Sequence, residues 1–456
     1  MIPLTLAAVA DVVGGEVIGQ TYDERMVTAV TIDSRAAGEG ALFVALEGER
    51  ADGHAYIADA LTRGAAGGLA RVGTAIRGCV EVDDPADALL GLGAWVRDTV
   101  DPEVIGVTGS SGKTTTKDLL RAALSVRRRT VANVGSFNNE LGVPLTCCAL
   151  QADTEVLVSE VGARGTGHIA AMAAVLRPDV AVVTNIGAAH LEMFTDLDGV
   201  ARAKTELVES LTPAGVAVLN ADDPRVAHMA DSAPGAVVLY GRSDRADLRA
   251  TDVTLDEAAR PSFVVRGVHV QVPLPGAHNV SNALAALAAA QACGVELTDA
   301  AQGIASANVS AWRMELSEGV NGVTVLNDAY NANPTSMAAA LRTLAAMTAK
   351  GRRWAVLGHM AELGEGGPQA HRNIGALCAE LAVDGLVVVG PAATPIRDGA
   401  RDAGFVGDLL AVDDIDAAVA TVTANLAPGD IVLVKASRSV GLERVAAALM
   451  TTEGPA

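Results

Sequence analysis

The stretch Gly106-Val107-Thr108-Gly109-Ser110-Ser111-Gly112-Lys113-Thr114 constrains this chain more than any other. It follows an apolar run, Val104 to Val107. It precedes a helical pattern, Thr115 to Arg129, whose Leu119, Leu120, Ala123 and Leu124 recur on one face. Strand, glycine-rich loop and helix in that order make a phosphate cradle. Glycines let backbone N–H groups turn toward an anion, and the helix N-terminus adds partial positive charge. Lys113 can reach the β- and γ-phosphates, and the Thr114 hydroxyl can ligate Mg²⁺. One position departs from the strict pattern: the first glycine of the loop would fall on Val107. A glycine-rich turn before an unrelated helix is the competing reading, and the strand–loop–helix context favours nucleotide.

The loop sits inside a longer alternation of strands and helices. Strand signals recur near Glu155 to Val161, Val180 to Thr184 and Val216 to Asn220, with helical stretches between them, which predicts a mostly parallel sheet. A more polar, β-rich stretch follows from Ala236 to Val272, then an Ala-rich helix after His278. A later set of apolar strands, Val323 to Leu326, Trp354 to Leu357, Leu386 to Val389 and Ile431 to Val434, leads into Asp328, His359, Gly390 and Lys435. Carboxyl ends of strands line the ligand crevice in open α/β sheets, so this block faces a ligand too. Ahead of the loop, short strands at Val27 to Ile32 and Leu42 to Leu46, helices at Ala55 to Arg63 and Ala86 to Arg97, and a linker at Asp98 to Glu103 are expected. With 456 residues, half of them apolar, the chain suits several α/β domains. Three are expected: 1–99, 100–312 and 313–456.

The net charge of −20 argues against nucleic acid or an anionic membrane as the main partner. No basic n-region with an apolar core opens the chain, and the longest Ala-rich stretch, Ala283 to Cys293, is too short to span a bilayer. Five scattered cysteines without metal spacing suit a reducing compartment. A cytoplasmic, monomeric protein without membrane insertion is therefore expected.

Several polar residues stand where strands end. Glu160 closes an apolar run and is placed to hold Mg²⁺ beside the phosphate loop; a solvated strand-end carboxylate is the alternative. His190 follows the strand ending near Thr184, although a lone histidine is more often structural. Asn138 and Asn139 could contact nucleotide or substrate, or simply make Asx turns. The amides of Asn279 and Asn282 offer both donor and acceptor toward a base, and helix capping competes for Asn279.

The string Thr108-Gly109-Ser110-Ser111-Gly112-Lys113-Thr114-Thr115-Thr116-Lys117 resembles the phosphate loop of the Mur ligases, and also that of folylpolyglutamate synthases. These are three-domain, ATP-dependent carboxylate–amine ligases in which the first loop glycine is usually missing. The resemblance implies a UDP-substrate-binding domain, a central P-loop domain and a C-terminal Rossmann-like domain. It implies that the backbone from Thr108 to Thr115 binds ATP, that Thr114, Glu160 and His190 hold Mg²⁺ (two ions in all), and that Asn279 and Asn282 read adenine. Ala201-Arg202-Ala203-Lys204 is similar to the segment whose lysine is carbamylated in several members; an uncarbamylated lysine paired to phosphate or carboxylate is the other reading of Lys204. Arg313 stands where the family places an arginine on the γ-phosphate, with a surface salt bridge as its alternative.

The string Asp328-Ala329-Tyr330-Asn331-Ala332-Asn333-Pro334 resembles the members that add D-Ala-D-Ala to UDP-N-acetylmuramoyl-tripeptide. It implies that Asp328 holds the ATP ribose, with Asn331 and Asn333 near nucleotide or dipeptide. Asp33-Ser34-Arg35 is similar to the UDP-muramoyl-binding segment, which makes Ser34 and Arg35 substrate contacts. The implied chemistry is an acyl phosphate captured by an amine. The family commonly has an acidic residue at the position of His359 and a glycine at that of Ala436, so neither is assigned a role. Another Mur-type or folate-type ligase, or a P-loop ATPase switch, remain as alternatives.

Overall fold

The computed structural model describes residues 1–48, 51–188, 192–194 and 196–450. Its centre is a seven-stranded sheet in the order Leu248–Arg249, Ala236–Gly241, Val216–Asn220, Val180–Val183, Glu103–Thr108, Val156–Glu160, Thr130–Ala132, and every pairing in it is parallel. Its central strands, Val180–Val183, Glu103–Thr108 and Val156–Glu160, are Val-rich runs buried on both faces, as crossover helices demand. One covering helix, Asn279–Ala292, buries almost its whole surface. Its alanines let it lie close to the helix Lys113–Ser125. A third helix, Leu297–Ala305, crosses the same helix at Gly303, where a Cβ would stand 2.3 Å from the Ala122 carbonyl oxygen.

Part of the expected β-rich stretch belongs to this sheet: Ala236–Gly241 and Leu248–Arg249 extend it in parallel. The remainder, Thr251–Leu255, Pro261–Val265 and Val268–Gln271, forms a separate antiparallel three-stranded sheet. Alternating burial along Pro261–Val265 marks a strand with one face on a core.

The N-terminal block holds a five-stranded sheet, Glu16–Val17, Cys79–Val82, Gly67–Arg71, Ala41–Val44, Ala29–Thr31. The predicted helix at Ala55 to Arg63 is a 3₁₀ turn, Gly53–Tyr56, leading into a short α-helix, Ile57–Thr62. The linker expected at Asp98 to Glu103 is far shorter. Asp84 caps the helix Pro85–Val100 by accepting from Ala86 N at 2.7 Å, the helix runs to Val100, and the next strand begins at Glu103. This helix packs on Gly142–Cys148; a Cβ on Gly93 would lie 2.8 Å from Pro144. One apolar cluster runs without a break from Leu6 through Leu92 to Leu207, so the first block is seated on the central sheet.

The C-terminal block carries a six-stranded sheet, Glu315–Glu318, Thr324–Asn327, Ile431–Lys435, Arg353–Leu357, Gly385–Val389, Asp408–Val412. Only its edge strand Glu315–Glu318 is antiparallel. That strand and Asp408–Val412 escape the hydropathy pattern because both are half-exposed edges with mixed residues. All five cysteines are buried and free. Among the described residues no helix is long and apolar enough to cross a membrane.

Candidate active site

The central and C-terminal sheets turn the carboxyl ends of their strands toward one cavity of about 540 Å³. Val107 is still within the central sheet, in register with Glu160 and Val182, so the chain leaves the strand one residue later than a first-glycine loop would. The turn falls on Gly109, with φ +148° and a site for Cβ only 1.8 Å from Thr184 Oγ1. Gly112, at φ +80°, faces Asn282 Oδ1 at 2.4 Å from its Cβ position. Both positions exclude a side chain. The loop is then tied down: Ser111 N donates to Asn185 Oδ1 (3.0 Å), Thr184 Oγ1 to Ser111 O (2.6 Å) and Ser110 Oγ to Gly187 O (3.0 Å). Gly109→Ala is expected to lower unfolding stability by about 2 kcal/mol or more and to weaken ADP binding; an unchanged urea midpoint would show that the turn tolerates a Cβ.

Lys113 opens the helix and folds back onto its own loop, donating to Gly109 O at 2.9 Å. Burial holds its ammonium below the usual lysine range, opposed by nearby Glu160 and assisted by Arg313. The next residue, Thr114, donates its hydroxyl to Glu160 Oε2 at 2.7 Å, and Asn138 Nδ2 donates to Glu160 Oε1 at 2.7 Å. Arg313 Nη2 reaches Thr114 Oγ1 at 2.9 Å from the C-terminal block, its guanidinium lying 4.0 Å over the Tyr330 ring. Arg313 therefore lines the cavity and, among the described residues, does not make a surface salt bridge. A buried carboxylate beside a hydroxyl, both hard oxygen donors facing the cavity, fits a magnesium ion. Among the described residues no cluster of three histidine, cysteine or acidic side chains adds to this pair.

Lys204 stands on the helix Leu197–Glu209, capped by Asp196, which accepts from Gly199 N at 2.7 Å. It is 5 % exposed and lines the cavity. Burial first, and the Lys113 charge second, push its ammonium down to about 7.

From the C-terminal block, Asp328 accepts from Lys435 Nζ at 2.5 Å and from Met314 N at 3.1 Å. The same ammonium donates to Asn331 O at 2.8 Å. Burial lowers the Lys435 ammonium and the Asp328 charge opposes that. Asn333 caps the helix Pro334–Ala346 in a box with Ser336, and its Nδ2 also donates to Ser111 Oγ at 3.1 Å, bridging the two sheets at the phosphate loop. The Tyr330 hydroxyl bonds Ser136. His278 lines the cavity as a neutral imidazole, since burial pushes its value down to about 4.

The cavity thus brings together Ser110, Ser111, Gly112, Lys113, Thr114, Thr115, Asn138, Asn139, Glu160, Lys204, Asn282, Arg313, Asp328, Asn331 and Asn333. Asn139 also makes the turn that was its alternative, accepting from Gly142 N at 3.0 Å. Thr108 and Gly109 lie behind the lining. Asn279 does too, its amide spent on Pro275 O (2.8 Å) and Asn282 Nδ2 (2.8 Å). Ser34 and Arg35 are in the N-terminal block and do not line this cavity; Arg35 pairs with Asp33 at 2.8 Å. His190 falls outside the described residues. Lys435, Tyr330 and Ser136 received no role from the sequence. Lys435 carried a signal, a lysine closing a buried strand, and Tyr330 lies in the string Asp328 to Pro334; the pairing of Tyr330 with Ser136, 194 positions away, carried none.

Three family descriptions match the chain: "Mur ligase family, catalytic domain" over residues 26–77, "Mur ligase middle domain" over 107–290 and "Mur ligase, glutamate ligase domain" over 312–438. The UDP-N-acetylmuramoyl-tripeptide–D-alanyl-D-alanine ligase of Mycobacterium bovis is 42 % identical over 99 % of both chains. That of Bacillus subtilis is 33 % identical over 98 % of both. The crystal structure of MurF from Acinetobacter baumannii superposes with a TM-score of 0.86 at 32 % identity, covering 98 % of this chain and 99 % of its own. The MurF ligase of Thermotoga maritima in complex with ADP gives 0.80 at 29 %, covering 93 % and 97 %. The phosphate loop, the cavity between two parallel sheets and these full-length similarities agree: the chain belongs to the Mur ligase family.

Proposed function

We propose that this chain joins D-alanyl-D-alanine to UDP-N-acetylmuramoyl-tripeptide using ATP, in the assembly of the peptidoglycan precursor. The observation that supports the reading most directly is the convergence of Lys113, Thr114 and Arg313 from two separate sheets, in a chain whose full-length relatives carry that name. Forming an acyl phosphate brings an anionic carboxylate against an anionic phosphate. Lys113 and Arg313 offset that repulsion and stabilise charge on the transferring oxygens. Arg313 comes from the C-terminal block, so its arrival is tied to domain closure. Asp328, fixed by Lys435, holds the ribose hydroxyls, and Asn282 lies beside the adenine. Thr114 and Glu160 would hold Mg²⁺, which neutralises phosphate oxygens when bound. Ser34 and Arg35 take the UDP end once Arg35 leaves Asp33. A carbamate on Lys204 would supply an anion beside a second ion. Five buried thiols and the need for ATP fit a cytoplasmic setting.

Phosphate release over a panel of UDP-muramoyl peptides and amines tests the reading. D-Ala-D-Ala is expected to support turnover roughly 10²-fold better than single amino acids, because a site built for a dipeptide leaves polar groups unpaired with a shorter amine. Equal use of single amino acids would reassign the amine, and phosphate release that ignores both co-substrates would make the protein an ATPase.

A further inference from the structure

Lys117 is buried, charged and absent from the cavity lining. It sits one helical turn beyond Lys113, pointing at the loop that follows the edge strand Thr130–Ala132. Its ammonium donates to Asn133 O at 2.8 Å and Gly135 O at 2.9 Å, and pairs with Asp118 Oδ1 at 2.9 Å. Two hydrogen bonds and one ion pair engage the ammonium, and Asp118 is held in turn by accepting from Ser310 N at 2.8 Å. A lysine held in this way is committed to the loop and does not line the cavity.

What the clamped loop does is visible at Glu160. Asn133, itself buried, accepts the Glu160 backbone N–H on its Oδ1 at 2.9 Å, while its Nδ2 donates to Gly135 O at 3.2 Å. Five residues on, Asn138 Nδ2 grips Glu160 Oε1 at 2.7 Å, which leaves Oε2 toward Thr114. The Glu160 backbone and one carboxylate oxygen are therefore both set by residues 133–138, and the start of that loop hangs on Lys117. We infer that Lys117 and Asn133 are positioning residues that aim the Glu160 carboxylate at the cation shared with Thr114. A loose loop would let the carboxylate rotate and close on Thr114 or Asn138 alone. The inference rests on the magnesium reading of Thr114 and Glu160 given above.

The test measures metal binding apart from turnover. Mn²⁺ binding to the full chain in the presence of ADP is followed by electron paramagnetic resonance, and ADP binding without metal by calorimetry. Glu160→Gln serves as the control for the site itself. Lys117→Met and Asn133→Ala are each expected to weaken Mn²⁺ by about 10- to 100-fold, the usual effect of removing an outer-shell partner, with metal-free ADP affinity kept within about twofold. Lys117→Met strands Asp118; should it fail to fold, Asn133→Ala carries the decision, since it deletes only the contacts to Glu160 N and Gly135 O. Mn²⁺ affinity unchanged in folded Asn133→Ala, but lost in Glu160→Gln, would overturn the inference and spare the site. A matching loss of metal-free ADP binding would also overturn it, by assigning Lys117 to the phosphate loop. Unchanged Mn²⁺ affinity in Glu160→Gln would instead remove the magnesium reading beneath it.

Discussion

Lys113→Ala is expected to lower ligation by about 10³-fold or more while leaving the protein folded. The catalytic side follows from position. Lys113 is the first residue of the helix behind the phosphate loop and lies beside Thr114, the residue that Arg313 reaches from the C-terminal block. Removing it takes away one of the cations facing two anions that must meet. The folding side follows from its contacts. Among the described residues its side chain makes a single hydrogen bond, to Gly109 O, and a bond of that kind contributes about 1 kcal/mol. Burial already disfavours its charge, so deleting the ammonium removes a desolvation penalty along with the bond. Phosphate release and thermal unfolding measured together make the check. Turnover within a few fold of the parent would discard the phosphate-loop assignment, and a collapsed melting transition would make Lys113 a structural residue.

Lys204→Ala is expected to lower activity by about 10²-fold, with partial recovery on adding short-chain carboxylates that can enter the space vacated. The geometry behind this is a lysine 5 % exposed, facing a cavity, on a helix fixed by its own cap. Carbamylation needs the lone pair of the neutral amine: the nitrogen bonds to CO₂ and releases a proton. With its value pushed down to about 7, chiefly by burial, Lys204 is an ammonium at acid pH and a free amine on the alkaline side. Bicarbonate-dependent activation is therefore expected to grow as pH rises through about 7. The stability effect has the same sign. The unfolded lysine keeps its proton up to its ordinary value while the folded one has lost it, so between those limits stability rises with pH. Lys204→Met should flatten that slope in urea midpoints. Full activity in Lys204→Ala, or loss without carboxylate recovery, would leave Lys204 a packing residue; a ¹³C-carbamate resonance after ¹³CO₂ exposure is the independent readout.

What could be read without coordinates was mostly local. The strand Val216–Asn220 was placed to the residue, and Glu103–Thr108, Val156–Glu160, Val180–Val183, Thr324–Asn327 and Gly385–Val389 to within one, because strands buried on both faces are short apolar runs with polar ends. The parallel strands Thr130–Ala132, Gly67–Arg71 and Cys79–Val82 were not placed, being short or interrupted by glycine or charge. The edge strands Glu315–Glu318 and Asp408–Val412 were missed, since their half-exposed faces mix polar with apolar residues. The site divided along a similar line. Lys113, Thr114 and Glu160 belong to motifs a few residues long. Lys435 could be noticed but not interpreted, because its meaning depends on Asp328, 107 positions earlier.

By itself the sequence determined the chemistry on offer: a phosphate loop behind a strand, a carboxylate closing the next one, and lysines and arginines in an otherwise acidic chain. These depend on spacing over a turn or two, which covalent geometry and hydrophobic period dictate. Tertiary structure alone decided which groups meet. It brought Arg313 to Thr114, Lys435 to Asp328 and Tyr330 to Ser136. The reason is physical: contacts between residues far apart in the chain depend on how two sheets pack and face each other, and no local pattern encodes that.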